Sequence, residues 1–159
     1  MAGFRITREV GANPGSFVAV DVDGVLSDAS RRQHYLTGAS RDWSGFFEAS
    51  IEDPPILEGI RLVKRFCHVR NLVLLTARPA RLSDITQEWM YRHGVKWDLL
   101  AMRDNSDFGS SSETKRAILR ELLADGYQPY LALDDDPRNV AMYRSEGIRT
   151  VYFHSGYYD

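Results

Sequence analysis

Five short apolar runs punctuate the chain, and a segment of helical pattern follows each of the first four. They are SFVAVD (16–21), NLVLLT (71–76), WDLLAM (97–102), YLALD (130–134) and RTVYF (149–153). Runs this short, nearly continuous in apolar and β-branched residues, read as strands buried on both faces. Between them, Asp53-Pro54-Pro55 reads as a helix cap with early prolines, and Ile56, Ile60, Val63 and Cys67 continue at helical spacing to about residue 68. Further helices are predicted over about 80–93, 112–125 and 138–146, ending at Gly94, Gly126 and Gly147. Ser110 and Glu113 have the spacing of a capping box for the 112–125 helix. Alternation of this kind predicts an α/β, Rossmann-like fold: a central parallel five-stranded sheet with helices on both faces. The 159 residues suit one domain, 1–159, with 29–53 as a small cap-like insert.

In such sheets ligands bind beyond the carboxyl ends of the strands. Three strand ends here carry polar residues: Asp21, Thr76 and the run Asp134-Asp135-Asp136. Asp21 and Asp23 stand one residue apart after a buried strand, where two like charges repel unless a cation lies between them. Asp21, Asp23, Asp134 and Asp135 form an all-oxygen set with no histidine or cysteine nearby in sequence, which suits a hard cation, Mg²⁺ above all. The residue types fit phosphoryl transfer. A carboxylate can attack phosphorus, and a second can move protons. A threonine hydroxyl and a lysine ammonium can hold the phosphoryl oxygens, and Gly24 lets the backbone turn tightly around a phosphate. Asp136, before Pro137, reads as a cap residue.

Composition narrows the classes. A net charge of −2 excludes a wholesale polyanion binder while leaving room for a local basic groove among 20 Lys and Arg. A single cysteine, Cys67, excludes a disulfide framework and a multi-cysteine metal site, and its apolar helical setting makes it a core residue. No apolar run reaches membrane-spanning length and residues 1–16 lack a signal-like apolar core, so a cytoplasmic protein with no membrane partner is expected. His34, His68, His93 and His154 show no ligand spacing.

The motifs resemble the haloacid dehalogenase superfamily of aspartate-nucleophile phosphohydrolases. VAVDVDGVL is similar to its first motif, LVLLTAR to the second, and LALDDDPRN to the fourth, with Lys115 of SSETKRAIL in the third-motif position. The resemblance implies Asp21 as nucleophile, Asp23 as general acid/base, Thr76 and Lys115 on the phosphoryl group, and a metal held by Asp21, Asp134, Asp135 and the main-chain carbonyl of Asp23. Within the superfamily the chain resembles the phosphatase domain of polynucleotide kinase-phosphatases, on DVDGVL, Arg78, LALDDDPRNVAMYR and the HSGYYD segment. That subfamily usually has an arginine where this chain has Gly109. With no GxxxxGK[ST] motif, no kinase half is expected in the sequence.

The resemblance implies a Mg²⁺-dependent phosphomonoesterase acting on a phosphorylated substrate, a nucleic-acid 3′ terminus among the candidates. Arg78, Arg103 and the Arg31–Arg32 pair are candidates for contacts to neighbouring phosphates. Trp43, Phe46 and Phe47 read as packing for the insert. Alternatives are a small-molecule phosphatase, a phospho-accepting module resembling a response-regulator receiver, and a catalytically silent binding domain. The order of motifs disfavours the receiver, and the intact acid set disfavours the silent domain.

Overall fold

The structure, a computed structural model, describes residues 3–7 and 14–159. Its sheet has six strands: β1 (Gly3–Thr7), β2 (Ser16–Val20), β3 (Asn71–Pro79), β4 (Leu99–Arg103), β5 (Gln128–Asp134) and β6 (Thr150–Tyr152), in the spatial order β1-β4-β3-β2-β5-β6. The α-helices are α1 (Trp43–Glu48), α2 (Leu57–Phe66), α3 (Ser83–Arg92), α4 (Ser111–Ala124) and α5 (Pro137–Ser145).

Period-two alternation within each strand divides the core between two faces. Val18, Val20, Leu72, Leu74, Leu100 and Met102 pack with Ile60 and Val63 of α2 and Trp89 and Met90 of α3. Phe17, Ala19, Val73, Leu75 and Ala101 pack with Ile118, Leu119 and Leu122 of α4 and Met142 and Tyr143 of α5. Continuous apolar runs in sequence are therefore the two-sided burial of a covered sheet.

The predicted five-stranded parallel sheet needs one correction. β2 to β6 are parallel, but β1 adds a sixth strand antiparallel to β4. Its five residues GFRIT give too short a pattern to stand out: Ile6 packs on the core, Phe4 is exposed, and Arg5 pairs with Glu121 and Asp125 of the α4 end. Main-chain pairing to β4 holds this edge.

Two local expectations are also corrected. Asp53 does not cap α2, which begins at Leu57 with Ile56 in the cap position; its carboxylate is instead buried against Ser27 and Arg32. Cys67 is a half-buried cap residue at the end of α2, its thiol donating to the Lys64 carbonyl, and not part of the core. The capping box at Ser110 and Glu113 forms as the spacing predicts, and Asp136 caps α5. The 29–53 insert folds as two 3₁₀ turns, Ala29–Leu36 and Ala49–Glu52, flanking α1. Its aromatics pack on one another: Trp43 stacks on Phe47 at 5.9 Å, and Phe46 is buried edge-on to both. No helix among the described residues is long and apolar enough to cross a membrane.

Candidate active site

β2 is central to the site because its neighbours, β3 and β5, come from opposite directions along the chain. The crevice beyond its carboxyl end is the topological switch point of the sheet, where such folds bind ligands. The Asp21 N–H donates to the Leu133 carbonyl at 2.9 Å, which aligns Asp21 with the end of β5. Asp134 is the last residue of β5, and Asp135 follows it. One carboxylate oxygen from each of Asp21, Asp134 and Asp135 lies within 4.8 Å of the others, and all three residues are buried.

Lys115, fully buried on α4, bridges two of these acids. Its Nζ is 3.0 Å from Asp21 Oδ1 and 2.6 Å from Asp134 Oδ2. Burial opposes its charge, but Asp134 and Asp21 outweigh burial and raise its pKa well above the ordinary lysine value. Asp134 also accepts from the Asp136 N–H and from the Asn139 amide. Asp21 Oδ1 accepts the Val22 N–H at 2.8 Å.

These residues fit a hard divalent cation. Both Asp135 oxygens are buried without a hydrogen bond of ordinary geometry. Burial, with Asp134 adding to it, pushes the Asp135 carboxyl up to about 7, although a looser contact from the Ser155 hydroxyl and the Lys115 charge work the other way. Asp21 is likewise raised well above the carboxylate range, by burial first, then by Asp134, Asp135 and Asp23 against Lys115. Buried carboxylates held this far from their ordinary pKa lack positive charge, and a cation among their oxygens supplies it. Gly24 closes one wall: with φ at +87°, a Cβ there would sit 1.9 Å from Asp135 Oδ2. Glycine is required at this position both by its backbone and by space.

Asp23 sits in a different environment. Arg78 holds its carboxylate with two bonds, Nε to Oδ2 at 3.0 Å and an NH2 group to Oδ1 at 2.6 Å, and Arg32 adds a third at 2.5 Å. Burial would raise the Asp23 pKa, yet the two guanidinium groups overcome it and hold the carboxyl well below the usual range. The β3–β4 ladder shifts register between Thr76 and Pro79, and this irregularity presents Arg78 to Asp23. Thr76 is buried at the end of the regular ladder, its hydroxyl accepting the Arg78 N–H.

The structure brings Asp21, Asp134, Asp135 and Lys115 together and sets Asp23, Arg78 and Thr76 beside them. The Asp23 carboxylate lies outside the three-acid cluster. Of the arginines expected at neighbouring phosphates, Arg78 is buried and committed to Asp23, Thr86 and Ser27. Arg103 ties loops together through the carbonyls of Ala77, Asp107 and Gly109. The Arg31–Arg32 pair divides: Arg31 is exposed, while Arg32 is buried on Asp53, Asp23 and the Phe46 carbonyl.

Asp53 and Asn139 were not legible as site residues, and Arg32 was legible only as a phosphate contact, not as a clamp on Asp23 and Asp53. Asp53 lies 21 residues from Arg32, with only a cap-like proline context to mark it. Asn139 follows the acid run at a helical offset that gives no hint of its contact with Asp134. Arg32→Ala should leave Asp53 and Asp23 short of a shared buried cation, at a cost of about 3–5 kcal/mol. The expected result is a fall in melting temperature of roughly 10 °C, with Arg32→Lys intermediate because it keeps the charge and loses the fork. Thermal unfolding by circular dichroism checks this; an unchanged transition would contradict the buried clamp.

The model of the polynucleotide kinase PNKP phosphatase domain family matches residues 15–158. The chain belongs to this family. It is thus a phosphatase of the haloacid dehalogenase superfamily, and the acid cluster is its candidate metal centre. No curated protein matches the chain. Among solved structures it is similar to a chain of the Pnkp1/Rnl/Hen1 RNA repair complex, with TM-score 0.75 and 21% identity over 92% of this chain and 45% of that one. It is also similar to a class C acid phosphatase from Bacillus anthracis, with TM-score 0.65 and 17% identity over 93% of this chain and 70% of that one. A haloacid dehalogenase-like hydrolase from Streptococcus pneumoniae aligns with TM-score 0.61 and 14% identity, over 90% and 85% of the two chains. At these identities the likeness is one of fold. The chain spans less than half the length of the two repair-complex chains it matches.

Proposed function

We propose that this phosphatase is Mg²⁺-dependent, works through an aspartyl-phosphate on Asp21, and removes a terminal 3′-phosphate from a polynucleotide. The observation that carries the chemistry is the Lys115 bridge between Asp21 and Asp134, beside an Asp135 whose buried oxygens make no hydrogen bond of ordinary geometry. Asp21, Asp134, Asp135 and the Asp23 main-chain carbonyl would hold the cation. When bound, it offsets negative charge developing on the phosphoryl oxygens.

Asp21 attacks phosphorus with the oxygen not engaged by Val22 and Lys115, and the ester oxygen departs with the proton that Asp23 supplies. Lys115 and the Thr76 hydroxyl hold equatorial phosphoryl oxygens, and the tight turn at Gly24 lets backbone N–H groups approach them. Asp23 in its clamped, ionised form is the base that takes a proton from water as the aspartyl-phosphate is hydrolysed. Its role as acid requires the clamp to loosen. Phosphoryl oxygens entering the pocket compete for the same guanidinium N–H groups, and each bond that Asp23 gives up lets its pKa climb.

A polynucleotide substrate is supported by the family match and by the size of the insert. Two 3₁₀ turns and a six-residue helix are little material for a lid over a small metabolite. A crevice of this kind admits a phosphate at the end of a long molecule. Turnover of a 3′-phosphorylated oligonucleotide should exceed that of 3′-mononucleotides and sugar phosphates at matched concentration. Its apparent affinity should also weaken as salt rises. Preference for a small metabolite by orders of magnitude would overturn the substrate and leave the phosphatase chemistry standing.

A further inference from the structure

Residues 154–159 carry aromatic side chains to the rim of the acid pocket that the phosphoryl chemistry leaves unused. The chain leaves β6 beside the acids, with the Phe153 N–H donating to the Asp134 carbonyl at 2.9 Å. Gly156, with φ at +82°, then turns it back. One hydrogen bond fixes the turn, and a looser contact lies on its other side. The Ser155 hydroxyl faces Asp135. The Tyr157 hydroxyl donates to Asp28 Oδ1 at 2.9 Å, and Asp28 caps the first 3₁₀ turn of the insert.

Next to the Tyr157 anchor, Tyr158 keeps 47% of its surface exposed. The Arg138 guanidinium lies 5.5 Å from the centre of its ring. Arg138 is itself oriented by Asp136, through Nε to Oδ1 at 3.0 Å and an NH2 group to Oδ2 at 2.9 Å. A half-exposed ring backed by a fixed cation, on a segment bonded to the main chain of Asp134, is what a base one sugar away from the phosphate would meet. The ring plane supplies stacking and the guanidinium supplies charge toward the next phosphate.

We propose that Tyr158, backed by Arg138, is the platform on which the base of the terminal nucleotide stacks while its 3′-phosphate reaches Asp21. This rests on the polynucleotide reading above. It assigns recognition of the base to the ring of Tyr158, so the platform discriminates a base-bearing terminus from one without a base and has no part in the chemical step.

The test measures kcat and KM for three substrates: an oligonucleotide with a 3′-phosphate, the same oligonucleotide with an abasic 3′-phosphorylated terminus, and glycerol phosphate. Tyr158→Ala should raise KM for the base-bearing terminus roughly tenfold, with kcat within about twofold. KM for the abasic terminus and for glycerol phosphate should be unchanged. Tyr158→Phe, which keeps the ring, should behave as wild type. An unchanged KM for the base-bearing terminus in Tyr158→Ala overturns the platform, as does an equal rise for all three substrates or an equal loss in Tyr158→Phe. If the wild type binds both oligonucleotides equally well, only the platform falls. If it cleaves glycerol phosphate and neither oligonucleotide, the polynucleotide reading falls and takes the platform with it.

Discussion

Asp21→Asn is expected to reduce turnover by roughly 10⁴-fold or more while the protein still folds. The oxygen proposed to attack phosphorus is exchanged for an amide nitrogen of nearly the same size, so the loss should fall on bond formation and not on packing. Stability should move little. In the metal-free protein Asp21 is pushed toward its neutral form by burial and by the neighbouring acids, and asparagine is a neutral replacement of the same shape. Lys115 keeps its 2.6 Å partner in Asp134. Steady-state assays beside thermal melts of metal-free protein check both halves. Activity within tenfold of wild type would remove Asp21 from the nucleophile role, and a melting temperature far below wild type would mean that the residue is structural.

Removal of divalent metal should abolish activity, and Mg²⁺ should raise the melting temperature by an amount that depends on pH. A ligand present at about 100 times its dissociation constant stabilises the folded state by about 2.7 kcal/mol, or roughly 5–10 °C for a chain of this size. The pH dependence follows from Asp135, whose folded, metal-free pKa of about 7 stands above the ordinary aspartate value of 3.8. Between those values the folded state binds more protons than the unfolded state, so metal-free stability from this group is full below the lower value and is lost as pH rises through the upper one. Metal and proton compete for the same oxygens. The Mg²⁺-induced shift should therefore be larger at pH 8 than at pH 5.5. Because the measurement is a difference with and without metal, the opposite trend from groups with lowered pKa, such as Asp28 and Asp107, largely cancels. Full activity after exhaustive chelation, or a shift that shrinks as pH rises, would contradict the metal centre.

What the sequence makes legible follows from how local each signal is. β2, β3, β4 and β5 show in sequence because burial on both faces demands an unbroken apolar run, as in Leu72 to Leu75. Asp21, Asp134 and Asp135 show because each lies at the end of such a run, where a carboxylate has no packing reason to be. Edge strand β1 is hidden, since an edge needs only main-chain partners and tolerates Arg5 between Phe4 and Ile6. The Arg32–Asp53 clamp is hidden for another reason. Its partners meet only after the insert folds back on β2, and nothing in the spacing from 32 to 53 encodes that return. Asp53 before two prolines has the local pattern of a cap, and tertiary contact overrides it.

The clamp and the Lys115 bridge together set a charge stoichiometry. Among the described residues, Asp21, Asp23, Asp53, Asp134 and Asp135 oppose Arg32, Arg78 and Lys115 in this pocket, while Asp136 is matched separately by Arg138. With all five acids ionised, the residual is two negative charges, which one divalent ion neutralises. A phosphate dianion then enters a pocket with no net electrical attraction of its own, and what holds it is the direction of individual donors. Inorganic phosphate, which lacks the rest of the substrate, is therefore expected to bind weakly and leave readily.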